Sequence, residues 1–182
     1  YAITEASYAS KRATGDWSDW LSAARDSIRA ADAIFSFTQR DRCGLTEICA
    51  PERLHDLAPF IDLDALPTPP IANRPAANGT TIRLVTVAMM RPGAKLASYR
   101  CLGNALTDLS EINWHIDIVG DGSARADVEA AFSGLPPGRI SWHGRIDASA
   151  LIPILASGDI FAWPGIEEAF GMAYLEAQAS GL

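Results

Sequence analysis

The sequence predicts an α/β fold in which helices cover both faces of a parallel sheet. In the second half of the chain, short apolar runs such as residues 84–88 alternate with segments of helical periodicity, the pattern of a buried parallel sheet. Of the 182 residues, 48% are hydrophobic and 20% are charged, a composition typical of globular domains. A concentration of Pro, Asn and Gly between Pro67 and Gly79 interrupts this pattern and predicts a linker.

The residues before the linker predict a partial α/β segment. Apolar positions from Asp16 to Asp32 recur at helical spacing, residues 33–37 form a β-prone run, and residues 40–48 predict a second helix. These elements are too few to close a sheet. We therefore expect residues 1–66 to be the remnant of an N-terminal domain, followed by a linker at 67–80.

Residues 81–182 predict a Rossmann-like domain of four alternating strands and helices. The strands are expected at 82–88, 114–119, 139–143 and 159–163. The helices are expected at 95–109, 124–132, 148–156 and 171–180. Sheets of this kind bind ligands at the carboxyl ends of their strands. The loops that should carry the site are therefore 89–95, 120–125, 144–147 and 164–171.

Charge and cysteine usage exclude several classes of protein. Fifteen basic and 22 acidic residues give a formal net charge of -7, so a protein that coats nucleic acid is not expected. Three cysteines at scattered spacings predict neither a disulfide framework nor a metal site, and they favour a reducing cytoplasm. No uncharged apolar run reaches the about 18 residues of a membrane-spanning helix.

Two cations follow the first strand of the second domain. Arg91 and Lys95 flank a Pro-Gly pair on a loop that ends at a helix N-terminus. Positive charges at that position oppose the helix dipole and have little structural use unless an anion lies between them. A solvated surface pair is the alternative.

A glycine-rich turn follows the second strand of this domain. Gly120 and Gly122 lie between that strand and the next helix, where backbone amides can face an anion. The third glycine of a dinucleotide fingerprint is absent, because Arg125 holds its place. A plain turn and a ligand-lining loop both remain open.

Two carboxylates lie near the last strand and helix. Glu168 precedes Phe170 and Gly171, whose amides can contact an anion, and Glu176 lies on the helix among apolar residues. Glu176 requires a partner, which is either a ligand or a neighbouring backbone group or arginine. Trp163, at the end of the last strand, is expected to be a core residue.

The second half of the chain resembles the donor-binding domain of retaining glycosyltransferases. The specific motif is Glu168, seven residues, then Glu176 followed by Ala-x-Ala-x-Gly. The runs 89–95, 118–122 and 140–144 support it. The resemblance covers about residues 81–182 and points to the group 1, family 4-like enzymes of the two-Rossmann (GT-B) fold. The spacing between Arg91 and Lys95 is shorter than the usual family form.

The resemblance implies specific roles at the phosphate and the sugar. Arg91 and Lys95 would hold the diphosphate of a nucleotide-sugar and stabilise its departure, and Glu168 would bind sugar hydroxyls. The amides of three consecutive residues would meet the sugar and phosphate: Phe170, Gly171 and Met172. No metal or cofactor is then expected, because the two cations carry the leaving-group charge.

The resemblance also implies contacts to the nucleoside. Glu176 would bind the ribose hydroxyls, and the loop formed by Gly144, Arg145 and Ile146 would lie against the nucleobase. Gly120 and Gly122 would line the donor site.

These assignments imply transfer of a sugar, with retention, from a nucleotide-diphosphate sugar to a glycan, lipid or small-molecule acceptor. A non-catalytic nucleotide-sugar binding module is one alternative, and an epimerase or phosphorylase of the same fold is another. The chain starts without Met and ends on a helix-stop glycine, so we expect sequence on both sides and no turnover by this chain alone. Peripheral membrane association through the absent domain stays open.

Overall fold

The computed structural model describes residues 2–3, 18–62, 81–168 and 170–182. The chain divides into two compact units, Tyr1–Phe60 and Ile61–Leu182. The predicted linker at 67–80 lies outside the described residues and stays a prediction. Within the described ranges, no helix has both the length and the apolar character needed to cross a bilayer.

The first unit contains a small parallel sheet. Its elements are β1 (Ala2–Ile3), α1 (Ser18–Ala30), β2 (Ile34–Ser36), α2 (Gln39–Leu45), a 3-10 turn (Pro51–Arg53) and β3 (Leu54–Asp56). The strands lie in the order β1-β2-β3. The expectation that this segment is too poor in strands to form a sheet is therefore wrong. Strands of two and three residues are too short to show an alternation, and their pairing depends on tertiary contacts.

The core of this unit is formed by apolar residues from both helices and two strands. Ile34 and Leu45 are fully buried, and Ile28 and Leu54 pack against them. Arg42 ties α2 to β3 by donating to the Leu54 carbonyl oxygen at 3.2 Å. These contacts hold the short strands in place.

The second unit contains the four alternating strands and helices that the sequence predicts. The strands are β4 (Ile82–Val87), β5 (Trp114–Val119), β6 (Ile140–Gly144) and β7 (Ile160–Phe161). The helices are α3 (Ala94–Thr107), α4 (Arg125–Ala131), α5 (Ala148–Ser157) and α6 (Met172–Ala179). All four strands are parallel, in the order β6-β5-β4-β7. β7 is shorter than predicted, and Pro164 has no backbone N–H with which to continue a ladder.

Helices cover both faces of this sheet. On one face, Trp114, Ile116 and Ile118 alternate along β5 and pack against apolar residues of α3 and α4. On the other face, Val85 packs against α5 and α6, where Leu155 is fully buried. The two layers orient the helices so that the N-termini of α3 and α6 lie at the carboxyl edge of the sheet.

Candidate functional site

The candidate site lies where the strand order reverses. β4 is flanked by β5 on one side and β7 on the other. The chain leaves β4 toward α3 on one face of the sheet and leaves β7 toward α6 on the opposite face. Loops that diverge in this way open a crevice at the carboxyl ends of the strands, where α/β proteins bind ligands.

Backbone hydrogen bonds join three of the loops at this edge. The Gly120 amide donates to the Gly144 carbonyl oxygen at 2.8 Å. The Met90 amide donates to Asp121 at 2.9 Å, and the Met90 carbonyl oxygen accepts from the Ala124 amide at 3.0 Å. The loops after β4, β5 and β6 therefore form one connected platform.

Gly120 and Gly122 are required by the close approach of two of these loops. Both have positive φ angles, +145° and +152°. A Cβ on Gly120 would lie 1.9 Å from the Ala88 carbonyl oxygen, and one on Gly122 would lie 2.2 Å from that of Met90. The structure thus supplies a packing reason for both glycines, and their contact with a ligand stays a prediction.

Lys95 and Glu168 meet at the carboxyl edge of the sheet. The Lys95 Nζ atom, in the first turn of α3, lies 2.5 Å from Glu168 Oε2, and the two side chains are 23% and 24% exposed. The indole Nε1 of Trp163 donates to the same oxygen at 3.2 Å. Lys95 is therefore an ion-paired group rather than the solvated cation of the alternative interpretation.

Arg91 is a separate cation on the same loop. Its side chain is exposed and forms no hydrogen bond or ion pair with any residue in the described part of the chain. It is therefore available to an anionic ligand without first breaking an internal contact.

Three helix N-termini at this edge, those of α3, α4 and α6, lack a side-chain cap. Gly93 precedes α3 and Gly171, with φ +72°, precedes α6, and neither helix has an acidic residue in its first turn. By contrast, Asp147 caps α5 by accepting from the Ala150 amide at 2.9 Å. Uncapped first-turn amides are donors for an anion. Over the residues described, no three His, Cys, Asp or Glu side chains cluster as metal ligands.

Glu176 is a partly buried carboxylate on α6. Its side chain forms no hydrogen bond or ion pair among the described residues, so the backbone or arginine partner of the alternative interpretation is not observed there. Burial raises its pKa above the usual range of a glutamate. Such a group can accept hydrogen bonds from ligand hydroxyls.

Glu176→Gln is expected to stabilise the unliganded protein at pH 8. Burial favours the protonated form, so the contribution of Glu176 to stability is present below the ordinary glutamate pKa and is lost as pH rises through the raised pKa. The gain in melting temperature should therefore vanish near pH 4. Thermal unfolding at both pH values checks this. The exposed Glu111→Gln variant should show no such dependence, and an equal gain at both pH values would contradict the burial argument.

The remaining predicted residues lie at the same edge with fewer contacts. Gly144 ends β6 with φ +66°, Arg145 is exposed, and Ile146 is half-buried. Within the described residues, no hydrogen bond or ion pair joins these three to Lys95 or Glu168. Their contact with a nucleobase, like the contact of the half-buried Phe170 with the sugar and phosphate, stays a prediction.

Trp163 forms a hydrogen bond to Glu168 that the sequence interpretation did not predict. Its side chain is 8% exposed and belongs to the core, as expected, yet its indole N–H contacts Glu168. Tyr174 on α6 donates its hydroxyl to the Trp163 carbonyl oxygen at 3.0 Å. Trp163 lies two residues after β7, and that position does not distinguish a core tryptophan from one with a polar partner.

A family model and a curated relative match the second half of the chain. Residues 81–182 match the family described as "Glycosyl transferases group 1". Over 106 residues the chain is 31% identical to the sulfoquinovosyl transferase SQD2 of Arabidopsis thaliana, a match that covers 58% of this chain and 20% of that protein. The chain thus spans a fifth of the length of this relative.

Solved structures with the same fold cover nearly all of the chain. HepE of Anabaena, in complex with UDP and glucose, has a TM-score of 0.65 at 15% identity, covering 92% of this chain and 47% of its own. WaaG, a glycosyltransferase involved in lipopolysaccharide biosynthesis, has a TM-score of 0.63 at 17% identity, covering 100% of this chain and 53% of its own. The predicted α/β class with parallel sheets is confirmed.

Proposed function

The chain belongs to the group 1 glycosyl transferases, of the GT-B fold, and from this premise we propose that the protein transfers a sugar from a nucleoside diphosphate-sugar, with retention at the anomeric carbon. One observation carries the proposal. Lys95, in the first turn of α3, and Glu168, in the loop before α6, meet at 2.5 Å near helix N-termini that lack a side-chain cap. A cation for phosphate and a carboxylate for hydroxyls are thus juxtaposed.

The leaving group determines what the cations do. As the bond between the anomeric carbon and the diphosphate oxygen breaks, negative charge grows on the diphosphate and the sugar acquires oxocarbenium character. Fixed positive charge from Arg91 and Lys95, with the first-turn amides of α6, stabilises that state more than the ground state. In the proposal this role belongs to these groups rather than to a metal.

The carboxylates address the neutral parts of the donor. Glu168 accepts from sugar hydroxyls, close to the carbon where charge develops, so it contributes to the rate. Glu176 accepts from the ribose hydroxyls, which are the same in ground and transition states, so it contributes to binding alone. The raised pKa of Glu176 makes this binding weaken toward acidic pH.

UDP-glucose is the first donor to test, because HepE is described with UDP and glucose and with UDP-glucose. A glycan, a lipid and a small molecule remain candidate acceptors. A reducing compartment, the cytoplasm, is also proposed, because Cys43, Cys49 and Cys101 are free and two of them are exposed.

The stereochemistry of the product tests the proposal. The full-length protein is incubated with UDP-α-glucose and a panel of acceptors, and the anomeric proton of the product is followed by NMR from the first turnovers. We expect an α-linked product. A β-linked product contradicts retention, epimerised UDP-sugar indicates an epimerase, and tight donor binding with every acceptor inert indicates a binding module.

A further inference from the structure

Trp163 has a polar contact that its place in the core does not require. The indole is 8% exposed, and its only hydrogen-bond donor, Nε1–H, points at Glu168 Oε2 at 3.2 Å. A buried tryptophan N–H usually finds a partner, and here the partner is the carboxylate of the candidate site.

The indole packs against α3, and the Trp163 backbone is hydrogen-bonded to α6. The Tyr99 ring of α3 packs edge-on against it, with ring centroids 4.9 Å apart and an interplanar angle of 71°. Tyr99 is itself fully buried and donates its hydroxyl to the Ala88 carbonyl oxygen at 2.7 Å. On the α6 side, Tyr174 donates to the Trp163 carbonyl oxygen at 3.0 Å. These two contacts, together with the bond to Glu168, support the observed orientation of the indole.

The two donors on Glu168 bind the same oxygen. Both Lys95 Nζ and Trp163 Nε1 contact Oε2. Oε1 has no hydrogen-bond donor among the residues that the structure describes. Glu168 is therefore anchored through one oxygen while the other can accept from a ligand.

We propose that Trp163 is a positioning residue that fixes the Glu168 carboxylate so that Oε1 faces the sugar of the donor. The inference rests on the proposed function. When the donor diphosphate binds Lys95, that cation is shared or withdrawn from Glu168, and the indole N–H is the anchor that stays. Trp163 thus sets the orientation of Glu168 while the donor is bound and its sugar is transferred.

Trp163→Phe removes the N–H and keeps an aromatic ring against Tyr99. In the full-length enzyme we expect kcat to fall about 10- to 150-fold, the scale of a hydrogen bond to a charged group, with little change in donor KM. UDP affinity should stay the same, because UDP lacks the transferred sugar that Glu168 would contact. Equal losses in kcat and in UDP affinity would show a merely structural role and overturn the proposal.

A double-mutant cycle shows whether Trp163 acts through Glu168. Trp163→Phe should add less than twofold to the loss in kcat already caused by Glu168→Ala, which removes the oxygens that accept from the indole. If the loss in kcat of the double variant equalled the product of the two single-variant losses, the proposal would be overturned. Site-specific replacement of Trp163 by 3-benzothienylalanine, which keeps the bicyclic shape and lacks N–H, should reproduce the Trp163→Phe defect. Wild-type kcat with this residue would also overturn it.

The hydrogen bond can be observed without turnover. In 15N-labelled protein the indole N–H resonance of Trp163, identified by its loss in Trp163→Phe, should shift in Glu168→Gln. An unchanged resonance contradicts the inference even if the enzyme is active. An inactive wild-type protein whose resonance shifts would count against the proposed function and leave the anchoring of Glu168 supported.

Discussion

Lys95→Ala is expected to weaken UDP binding about 10- to 150-fold while leaving uridine binding nearly unchanged. The loss corresponds to about 1.5–3 kcal/mol, the free energy of a charge-assisted hydrogen bond. In the unliganded protein Lys95 is paired with Glu168, so the phosphate must exchange with a carboxylate for the same cation. A doubly charged diphosphate, assisted by Arg91 and helix amides, is the stronger partner.

Calorimetric titration of UDP and uridine into both proteins measures this difference. Arg100→Ala is the matched control, because Arg100 is an exposed cation on the same helix, five residues further from its N-terminus. It should bind UDP like the wild type. Equal losses for UDP and uridine in Lys95→Ala would mean that Lys95 serves only as the structural partner of Glu168.

The sheet of the second unit was predictable because β4 and β5 are rich in apolar residues and alternate along the chain with segments of helical periodicity. β4 and β5 are buried within a parallel sheet, so their residues show the signal that such burial produces. β1 and β3, of two and three residues, carry no such signal, and they pair only because β2 lies between them. The small sheet of the first unit therefore could not be predicted from local pattern.

The candidate site was predictable to the level of loops. Parallel topology places every carboxyl-end loop at one edge, so Lys95 and Glu168 could be expected near each other. Their side chains are 73 residues apart in sequence and form a direct ion pair. This contact depends on how far each segment extends beyond the sheet edge, which no local sequence pattern encodes. The hydrogen bond from Trp163 to Glu168 could not be predicted either. A buried aromatic residue at a strand end has the same sequence signature with or without a polar partner.

Gly120→Ala is expected to lower the free energy of unfolding by about 2–4 kcal/mol, the combined scale of overpacking and backbone strain. The added Cβ would lie 1.9 Å from the Ala88 carbonyl oxygen at a φ of +145°. Ala88 cannot easily move, because its amide donates to Val119 at 3.1 Å and its carbonyl oxygen accepts from Tyr99 at 2.7 Å. The added Cβ would therefore clash with a backbone segment that two hydrogen bonds hold in place.

Thermal unfolding measures the effect, and Gly134→Ala is the matched control. For a chain of this size the melting temperature should fall by about 5–15 °C in Gly120→Ala. Gly134 has open space where a Cβ would lie, so its replacement should be neutral or stabilise by up to about 1 kcal/mol through the unfolded state. Because the loops after β4 and β5 are displaced together, Gly120→Ala should also lose UDP affinity below its melting temperature. An equal melting temperature for Gly120→Ala and Gly134→Ala would show that the two loops do not approach as closely as described. The connected platform that positions the cations of the site would then also be incorrect.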